Sequence, residues 1–198
     1  MSEESSQVLA LGGDGQPLVA GFQQRMVDGL ALNNVLRGSW AEEVVAHFLQ
    51  GCQFSEQWSF YDFMWEGHLV SVKHSTGLKA NFSVGRKKSG WAPGSEGFGD
   101  EVFLGNETDG PQYWCDLFVF AWLPNRPTQE TVLDVHAWKF AIATKTEMEA
   151  TFGPTSKIAG PNTISALCEF VPGADFRSLA LSKLGRRQSA TPRRVRLL

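Results

Sequence analysis

The sequence predicts a single α/β domain built on a central mixed β-sheet that is flanked by helices. Of its 198 residues, 42% are hydrophobic, with seven Trp and fourteen Phe, which is enough to form a sizeable core. Residues 113–123, YWCDLFVFAWL, form a nearly continuous apolar run that is typical of a strand buried on both faces. Segments with helical spacing lie before and after this run, so the sheet is expected to carry helices.

Composition divides the chain into three parts. Residues 1–20 begin with a stretch rich in Ser, Gly and Glu and predict a flexible N-terminus, residues 21–184 predict the folded domain, and residues 185–198 form a basic C-terminal tail. Residues 183–198 hold six Lys and Arg and no acid, which leaves twelve basic against 21 acidic residues elsewhere, a net charge of −9. A basic tail either binds phosphate backbones or is a disordered, solubilising end.

The sequence favours a cytoplasmic protein without a membrane partner. No apolar run approaches the roughly 18 residues that a membrane-spanning helix needs. The first residues, MSEESSQ, are acidic and polar, unlike a secretory signal. Cys52, Cys115 and Cys168 are odd in number and widely spaced, so we expect free thiols in a reducing compartment.

Two helices are expected before the first strand. Apolar residues recur near helical spacing between positions 22 and 36, and Arg37-Gly38 is expected to end that helix. Ser39 then has the character of an N-cap for a helix at 40–50. Ser39 and Glu42 also match a capping box, in which the glutamate bonds the N–H of the cap residue.

The strands are predicted from apolar and aromatic segments separated by turn residues. Residues 57–65 and 68–73 predict a hairpin around Glu66-Gly67, and residues 113–122 and 133–143 predict two neighbouring central strands. A further strand is expected at 80–84, a long irregular segment at 85–112, and helices from Thr144 or Thr146 to Phe152 and from Asp175 to about Leu184.

Asp62 and Lys73 are the candidate catalytic pair of the hairpin. They lie near the ends of adjacent antiparallel strands, so their side chains can converge at one edge of the sheet. A carboxylate there can hold a hard cation such as Mg²⁺ or Mn²⁺, and a lysine beside it can orient water and offset phosphate charge. An Asp and a Lys at this spacing also occur on many ordinary surface hairpins, so the spacing alone leaves both interpretations open.

Five ordered segments strengthen the catalytic interpretation. They are RGSWAEEVVAHFL at 37–49, WSFYDF at 58–63, VSVKHS at 70–75, YWCDLFVFAWLP at 113–124 and HAWKFAIAT at 136–144. Together they resemble the PD-(D/E)XK restriction-endonuclease-like superfamily over about half of the chain. The individual motifs are short and degenerate, and their order carries the resemblance.

The resemblance implies a role for each matching residue. Glu42 matches the helix glutamate, Asp62 the metal-binding aspartate and Lys73 the catalytic lysine, and the backbone carbonyl of Val72 would be a further metal ligand. The cofactor implied is Mg²⁺ or Mn²⁺. Ser71 stands where the family has Glu or Gln, and a neutral hydroxyl there predicts weak metal binding. Glu42 remains open between a metal role and the capping box, and Asp116 between a replacement carboxylate and a core hydrogen bond.

DNA is the expected partner. Arg86, Lys87 and Lys88 open a Gly-rich segment that also contains aromatic residues, a combination that suits a nucleic-acid strand, although solvated loop charge is the alternative. The leading hypothesis is a DNA-engaging domain that hydrolyses phosphodiesters with a divalent metal. The alternative is a catalytically degenerate nuclease fold that serves as a DNA-binding or scaffold module in bacterial defence or DNA processing, with a homodimer or a defence-system protein as further partner.

Overall fold

The computed structural model describes residues 15–55, 59–78, 80–87, 90–94, 97–104 and 110–185. The helices are α1 (Gly15–Gly29), α2 (Asn34–Leu49), α3 (Gln129–Leu133), α4 (Lys145–Thr151), α5 (Pro161–Leu167) and α6 (Gly173–Gly185), with a 3₁₀ turn at Val135–Ala137. None of the helices in these ranges is long and apolar enough to cross a membrane.

Ten strands complete the described elements. They are β1 (Gln53–Phe54), β2 (Phe63–Trp65), β3 (His68–Thr76), β4 (Phe82–Ser83), β5 (Gly90–Gly94), β6 (Gly97–Leu104), β7 (Leu117–Leu123), β8 (Lys139–Thr144), β9 (Ile158–Ala159) and β10 (Val171–Pro172). Six of them form one sheet in the order β1-β2-β3-β7-β8-β10. The central pair, β3 and β7, is parallel, and every other pair in this sheet is antiparallel. The predicted α/β domain with a mixed central sheet is confirmed.

Helices cover both faces of the sheet because alternate residues of the central strands are apolar on both sides. Val70 and Val72 of β3 face a core that includes residues of α2 and α6, such as Val45 and Phe176. The opposite face carries Phe118 and Phe120 of β7 together with residues of α4 and α5. Burial of both faces explains the continuous apolar run that marks β7 in the sequence.

Helix α2 is longer than predicted. It begins at Asn34, and the Asn33 side chain caps it by accepting hydrogen bonds from the amides of residues 35 and 36. Arg37-Gly38 therefore lies inside the helix and does not break it. Glycine suits position 38 because the ring of His74 packs closely against it. A Cβ there would lie 3.2 Å from Cε1 of His74.

The predicted capping box at Ser39 is wrong for the same reason. Ser39 lies in the second turn of α2, where its backbone N–H already has a helical partner. Glu42 is therefore not the third residue of the helix and has no N-cap to bond. The capping interpretation of Glu42 is therefore excluded, and its metal role stays a prediction.

Four strand predictions were too long, including the strand predicted at 80–84, of which β4 covers only Phe82–Ser83. The strand predicted at 57–65 covers only Phe63–Trp65, the strand at 113–122 begins at Leu117, and the segment predicted at 133–143 contains the end of α3 and the 3₁₀ turn before β8 begins at Lys139. Helix α3 forms because Thr128 and Thr131 make reciprocal capping hydrogen bonds. The helix predicted after Thr144 is confirmed, with Thr144 as N-cap.

The remaining differences concern segments rich in Gly and Pro. The backbone of 85–112, predicted to be irregular, contains the β5–β6 hairpin. The backbone of 15–20, assigned to the flexible N-terminus from its composition, belongs to α1, and α6 begins at Gly173, before the predicted cap Asp175. Helix α5, with Pro161 in its first turn, was not predicted. Lys88 and residues 186–198 of the basic tail lie outside the described residues.

Candidate functional site

Asp62 is held against the backbone of β3. It lies in the bend just before β2, and its amide donates a hydrogen bond to the carbonyl of Val70. Its carboxylate Oδ2 accepts a hydrogen bond from the amide of Val72. A strand residue points its N–H and C=O to the same side, so the carbonyl of Val72 also points to the side of β3 on which Asp62 lies.

Ser71 and Lys73 share one face of β3 because they are two residues apart in the strand. Ser71 is only 2% exposed. Its Oγ accepts a hydrogen bond of 2.5 Å from Nζ of Lys73. Among the described residues Lys73 forms no ion pair with a carboxylate, so the serine hydroxyl is the group that fixes the position of its ammonium.

Glu42 lies close enough to these residues to sense their charges. Burial, and then the negative charge of Asp62, raise the pKa of Glu42 from 4.5 to about 7, while the positive charge of Lys73 opposes the rise. The exposed neighbour Glu43 contributes least. Helix α2 and the β2–β3 hairpin thus bring two carboxylates and a lysine into one electrostatic environment, and the catalytic roles of Glu42, Asp62 and Lys73 stay predictions.

The oxygen atoms at this point can form only a sparse metal site. Within the described ranges, no group of three or more His, Cys, Asp or Glu residues is placed to hold a metal ion. The repulsion between Glu42 and Asp62 that raises the pKa of Glu42 is what a bound cation would relieve. These two carboxylates and the Val72 carbonyl fit a hard cation, but Ser71 adds no negative charge, so we expect weak binding.

A small open pocket lies beside Ser71 and Lys73. It holds about 250 Å³ of empty space and is lined by Phe60, Ser71, Lys73, Gly85, Lys87, Gln112, Tyr113, Trp114, Cys115 and Phe118. The backbone of Lys87 is fixed there, because it exchanges hydrogen bonds with that of Gln112 and its carbonyl accepts one from Nε1 of Trp114. The pocket therefore joins β3 to the segment before β7.

Lys87 belongs electrostatically to the same site. Although much of its side chain is exposed, partial burial and then the nearby charge of Lys73 lower the pKa of Lys87, and Asp62 opposes that change. Burial also raises the pKa of the Cys115 thiol at the pocket wall to about 12. The Cys115 Sγ donates a hydrogen bond to the carbonyl of Phe60, which agrees with the free thiol predicted for this cysteine.

Arg86 is held by the protein itself. Its guanidinium lies 5.1 Å from the ring centroid of Tyr113, and Nη2 donates a hydrogen bond to the carbonyl of Phe152. Its Nε is buried without a hydrogen-bond partner among the described residues. Of the three residues predicted to bind nucleic acid, Arg86 points into protein contacts, Lys87 lines the pocket, and Lys88 lies outside the described residues.

Two other polar residues lie at the margins of the site. Asp116 stands before β7, where its Oδ2 accepts a hydrogen bond from the amide of Leu69 and lies 3.8 Å from Nδ1 of His68. Asp116 therefore forms hydrogen bonds as predicted, but its side chain is 38% exposed and does not lie in the core. His74 bonds Asn34, and burial followed by the charges of Arg37 and Lys73 lowers its pKa to about 4, so it is neutral at pH 7.

Sequence reasoning found the β3 residues of this site but not the pocket wall. Gln112, Tyr113 and Trp114 were expected to belong to a loop and a strand, and Lys87 was expected to contact nucleic acid as part of a basic run. The signal that joins them is the isolated antiparallel pairing of Lys87 with Gln112, a contact between distant residues. Neither hydrophobic periodicity nor turn residues encode such a pairing.

No protein-family model matches the chain, and no curated protein or solved structure matches it either.

Proposed function

We propose that this chain is a restriction-endonuclease-like domain that engages DNA and hydrolyses phosphodiesters slowly with Mg²⁺ or Mn²⁺. The observation that carries the proposal is the effect of Asp62 and Lys73 on the pKa of Glu42. Two carboxylates and a lysine that lie close enough to influence one another's charges are suited to hydrolysis at phosphorus. The ordered sequence motifs that resemble PD-(D/E)XK proteins give the same assignment.

Each residue has a distinct task in this proposal. Glu42 and Asp62, with the Val72 carbonyl, would hold the cation, which when bound polarises the phosphodiester and lowers the pKa of a water molecule. Lys73 would orient that water and offset the charge that develops on phosphate oxygens. The hydrogen bond from Val72 to Asp62 keeps the aspartate carboxylate in place without using both of its oxygens.

Ser71 is the reason to expect slow hydrolysis. A carboxylate at this position would add negative charge to the cation site, whereas the Ser71 hydroxyl is neutral and already accepts a hydrogen bond from Lys73. The same observation favours the second candidate function, a DNA-binding or scaffold module that has lost hydrolysis. The two candidates differ only in whether the unmodified protein cleaves.

Nicking of supercoiled plasmid in Mg²⁺ and in Mn²⁺ tests the proposal. We expect slow nicking by the natural protein and faster nicking by Ser71→Glu, because the new carboxylate strengthens cation binding. Ser71→Gln is the matched control, since Gln has the size of Glu without its charge, and its gain in activity should be smaller than that of Ser71→Glu. Asp62→Ala and Lys73→Ala in the Ser71→Glu background should abolish the gain.

Binding of labelled DNA in EDTA separates the two candidate functions. Retained binding with no nicking by either the natural protein or Ser71→Glu would support the non-hydrolytic module. Rapid nicking that survives Asp62→Ala would show that the active site lies elsewhere. Absence of DNA binding by the natural protein would refute the nuclease and the DNA-binding module and leave only a scaffold role.

A further inference from the structure

The pocket beside Ser71 is lined by positively charged side chains that have no part in the proposed cation binding by Glu42 and Asp62. Lys73 and Lys87 line this pocket, and none of its described lining residues is Asp or Glu. Neither lysine forms an ion pair with a carboxylate in the part of the chain that the structure describes. Asp62 is near enough to affect Lys87, but its Oδ2 is bound to the amide of Val72. Two ammonium groups in so small a space favour an anion between them.

Ser71 makes an anion site possible here. A carboxylate at position 71 would neutralise Lys73 and repel an anion, whereas the hydroxyl accepts the Lys73 hydrogen bond and adds no charge. Because its Oγ accepts that bond, the hydroxyl proton of Ser71 remains available as a donor to a ligand. Gln112 also lines the pocket and adds no negative charge to it.

We infer that this pocket binds a phosphate monoester dianion, such as the terminal phosphate of a nucleic-acid strand, without a metal ion. Two lysines match the charge of about −1.5 to −2 that a phosphate monoester carries at pH 7, about twice that of a diester. The pocket is small and open to solvent, so it suits a single phosphate group better than a larger molecule. Only the nucleic-acid source of the phosphate rests on the proposed function.

Titration of the whole chain in EDTA at pH 8 tests this inference. The small probes are methyl phosphate, a dianion, and dimethyl phosphate, a monoanion. The nucleic-acid probes are one single-stranded oligonucleotide with a 5′-phosphate and the same strand with a 5′-hydroxyl. The site variants are Lys73→Met, Lys87→Met and Ser71→Glu. Lys139→Met is the control, because Lys139 is an exposed lysine at the start of β8, whereas Phe118 of the pocket pairs with Ala143 near the end of that strand.

We expect methyl phosphate to bind at least tenfold more tightly than dimethyl phosphate, with a loss of at least tenfold in all three site variants and none in Lys139→Met. The indole N–H resonance of Trp114 should shift on binding, because this group bonds the Lys87 carbonyl. That readout needs no substitution, so it remains valid if a variant fails to fold.

The outcomes separate the inference from the proposed function. Absence of methyl phosphate binding, or equal binding by the site variants and Lys139→Met, would overturn the inference whatever the nuclease assays show. Methyl phosphate binding with no preference for the 5′-phosphorylated strand would support the pocket and assign it to a small phosphate compound. Ser71→Glu should lose phosphate binding while gaining metal-dependent nicking, so the two proposals predict opposite effects of one substitution.

Discussion

Asp62 and Val72 are joined across the β2–β3 hairpin by a hydrogen bond from the Val72 amide to the Asp62 carboxylate. The bond continues the pairing of the hairpin beyond the point where β2 begins, with a side chain in place of a backbone carbonyl. It therefore fixes the carboxylate relative to Ser71 and Lys73, which flank Val72 in β3. The charges that Glu42 senses come from this rigid arrangement.

The first prediction concerns the charges around Glu42. Asp62→Asn should lower the pKa of Glu42, because it removes a negative charge that raises it, and Lys73→Met should raise that pKa further. Carbon-13 NMR titration of the glutamate carboxyl groups measures both changes. Asp28→Asn, at an exposed position on α1, should leave the titration unchanged. Shifts of the same sign in the two site variants would contradict the arrangement.

The second prediction is a pH dependence of stability that arises at Glu42. Its pKa is about 7 in the folded protein and 4.5 ordinarily, so between these values the unfolded chain releases its proton first. The contribution of Glu42 to stability should therefore fall as pH rises from about 4.5 to 7, whereas His74, whose pKa is lowered from 6.5 to about 4, contributes an opposite rise that Glu42→Gln leaves in place. Glu42→Gln should remove this fall and stabilise the protein at pH 8 by on the order of 2 kcal/mol, with little effect at pH 4.

Urea unfolding at pH 4, 6 and 8 provides the measurement. Glu43→Gln, on the exposed side of the same helix turn, should retain the pH dependence of the natural protein. Addition of Mg²⁺ or Mn²⁺ at pH 8 should stabilise the natural protein but not Glu42→Gln, because a ligand that binds only the folded state stabilises it. Parallel stability curves for the natural protein and Glu42→Gln would refute this prediction.

The third prediction distinguishes two adjacent basic residues. Lys87→Met should reduce the slope of log DNA affinity against log salt by roughly 0.9, the contribution of one phosphate contact. Arg86→Met should leave that slope unchanged and lower the free energy of unfolding by about 1 kcal/mol, because its guanidinium is bound to Phe152 and lies over Tyr113. Fluorescence anisotropy from 50 to 200 mM salt, with urea unfolding, measures both. A reduced salt slope in Arg86→Met together with a loss of stability in Lys87→Met would show that Arg86 is the residue that faces the ligand.

The fourth prediction concerns the contact between α2 and α6. A Cβ on Gly173 would lie 2.2 Å from the ring of Phe48, so Gly173→Ala should destabilise the protein by about 1–3 kcal/mol. Gly153→Ala is the matched control, because no described atom lies within 4 Å of the place that its Cβ would occupy, and it should have little effect. The double variant Gly173→Ala, Phe48→Leu should lose less stability than the sum of the losses in the two single variants. Thermal denaturation measures these losses, and additive losses in the double variant would show that the contact with Phe48 does not cause the destabilisation by Gly173→Ala.

Hydrophobic patterns in the sequence predicted the elements that are buried in the core, and they failed where contacts between distant residues decide the structure. The buried run before Leu123 predicted β7 because both of its faces are covered. Arg37-Gly38 was expected to end a helix, but the Arg37 guanidinium bonds the carbonyls of Leu30 and Ala31, and the missing Cβ of Gly38 leaves room for His74. The helix propensities of neighbouring residues do not predict either contact.

The candidate site shows the same division. Asp62, Ser71 and Lys73 could be predicted together because a hairpin brings them into register over a few residues. Glu42 could be assigned to a helix that faces them, but its competing capping role was excluded only by the true start of α2 at Asn34. Lys87 was recognised only as part of a charge cluster, because its place at the pocket depends on pairing with Gln112.

The parallel pairing of β3 with β7 also has a consequence for how the chain folds. Leu69 and Asp116, at the start of this pair, are 47 residues apart in the chain, and β4, β5 and β6 lie between them. The entropy lost on closing so long a loop opposes the first contacts between the two strands, which raises contact order and slows folding. The β2–β3 hairpin can form locally, so Asp62 and Lys73 meet early, whereas the Lys87 side of the pocket is completed only when β7 joins the sheet.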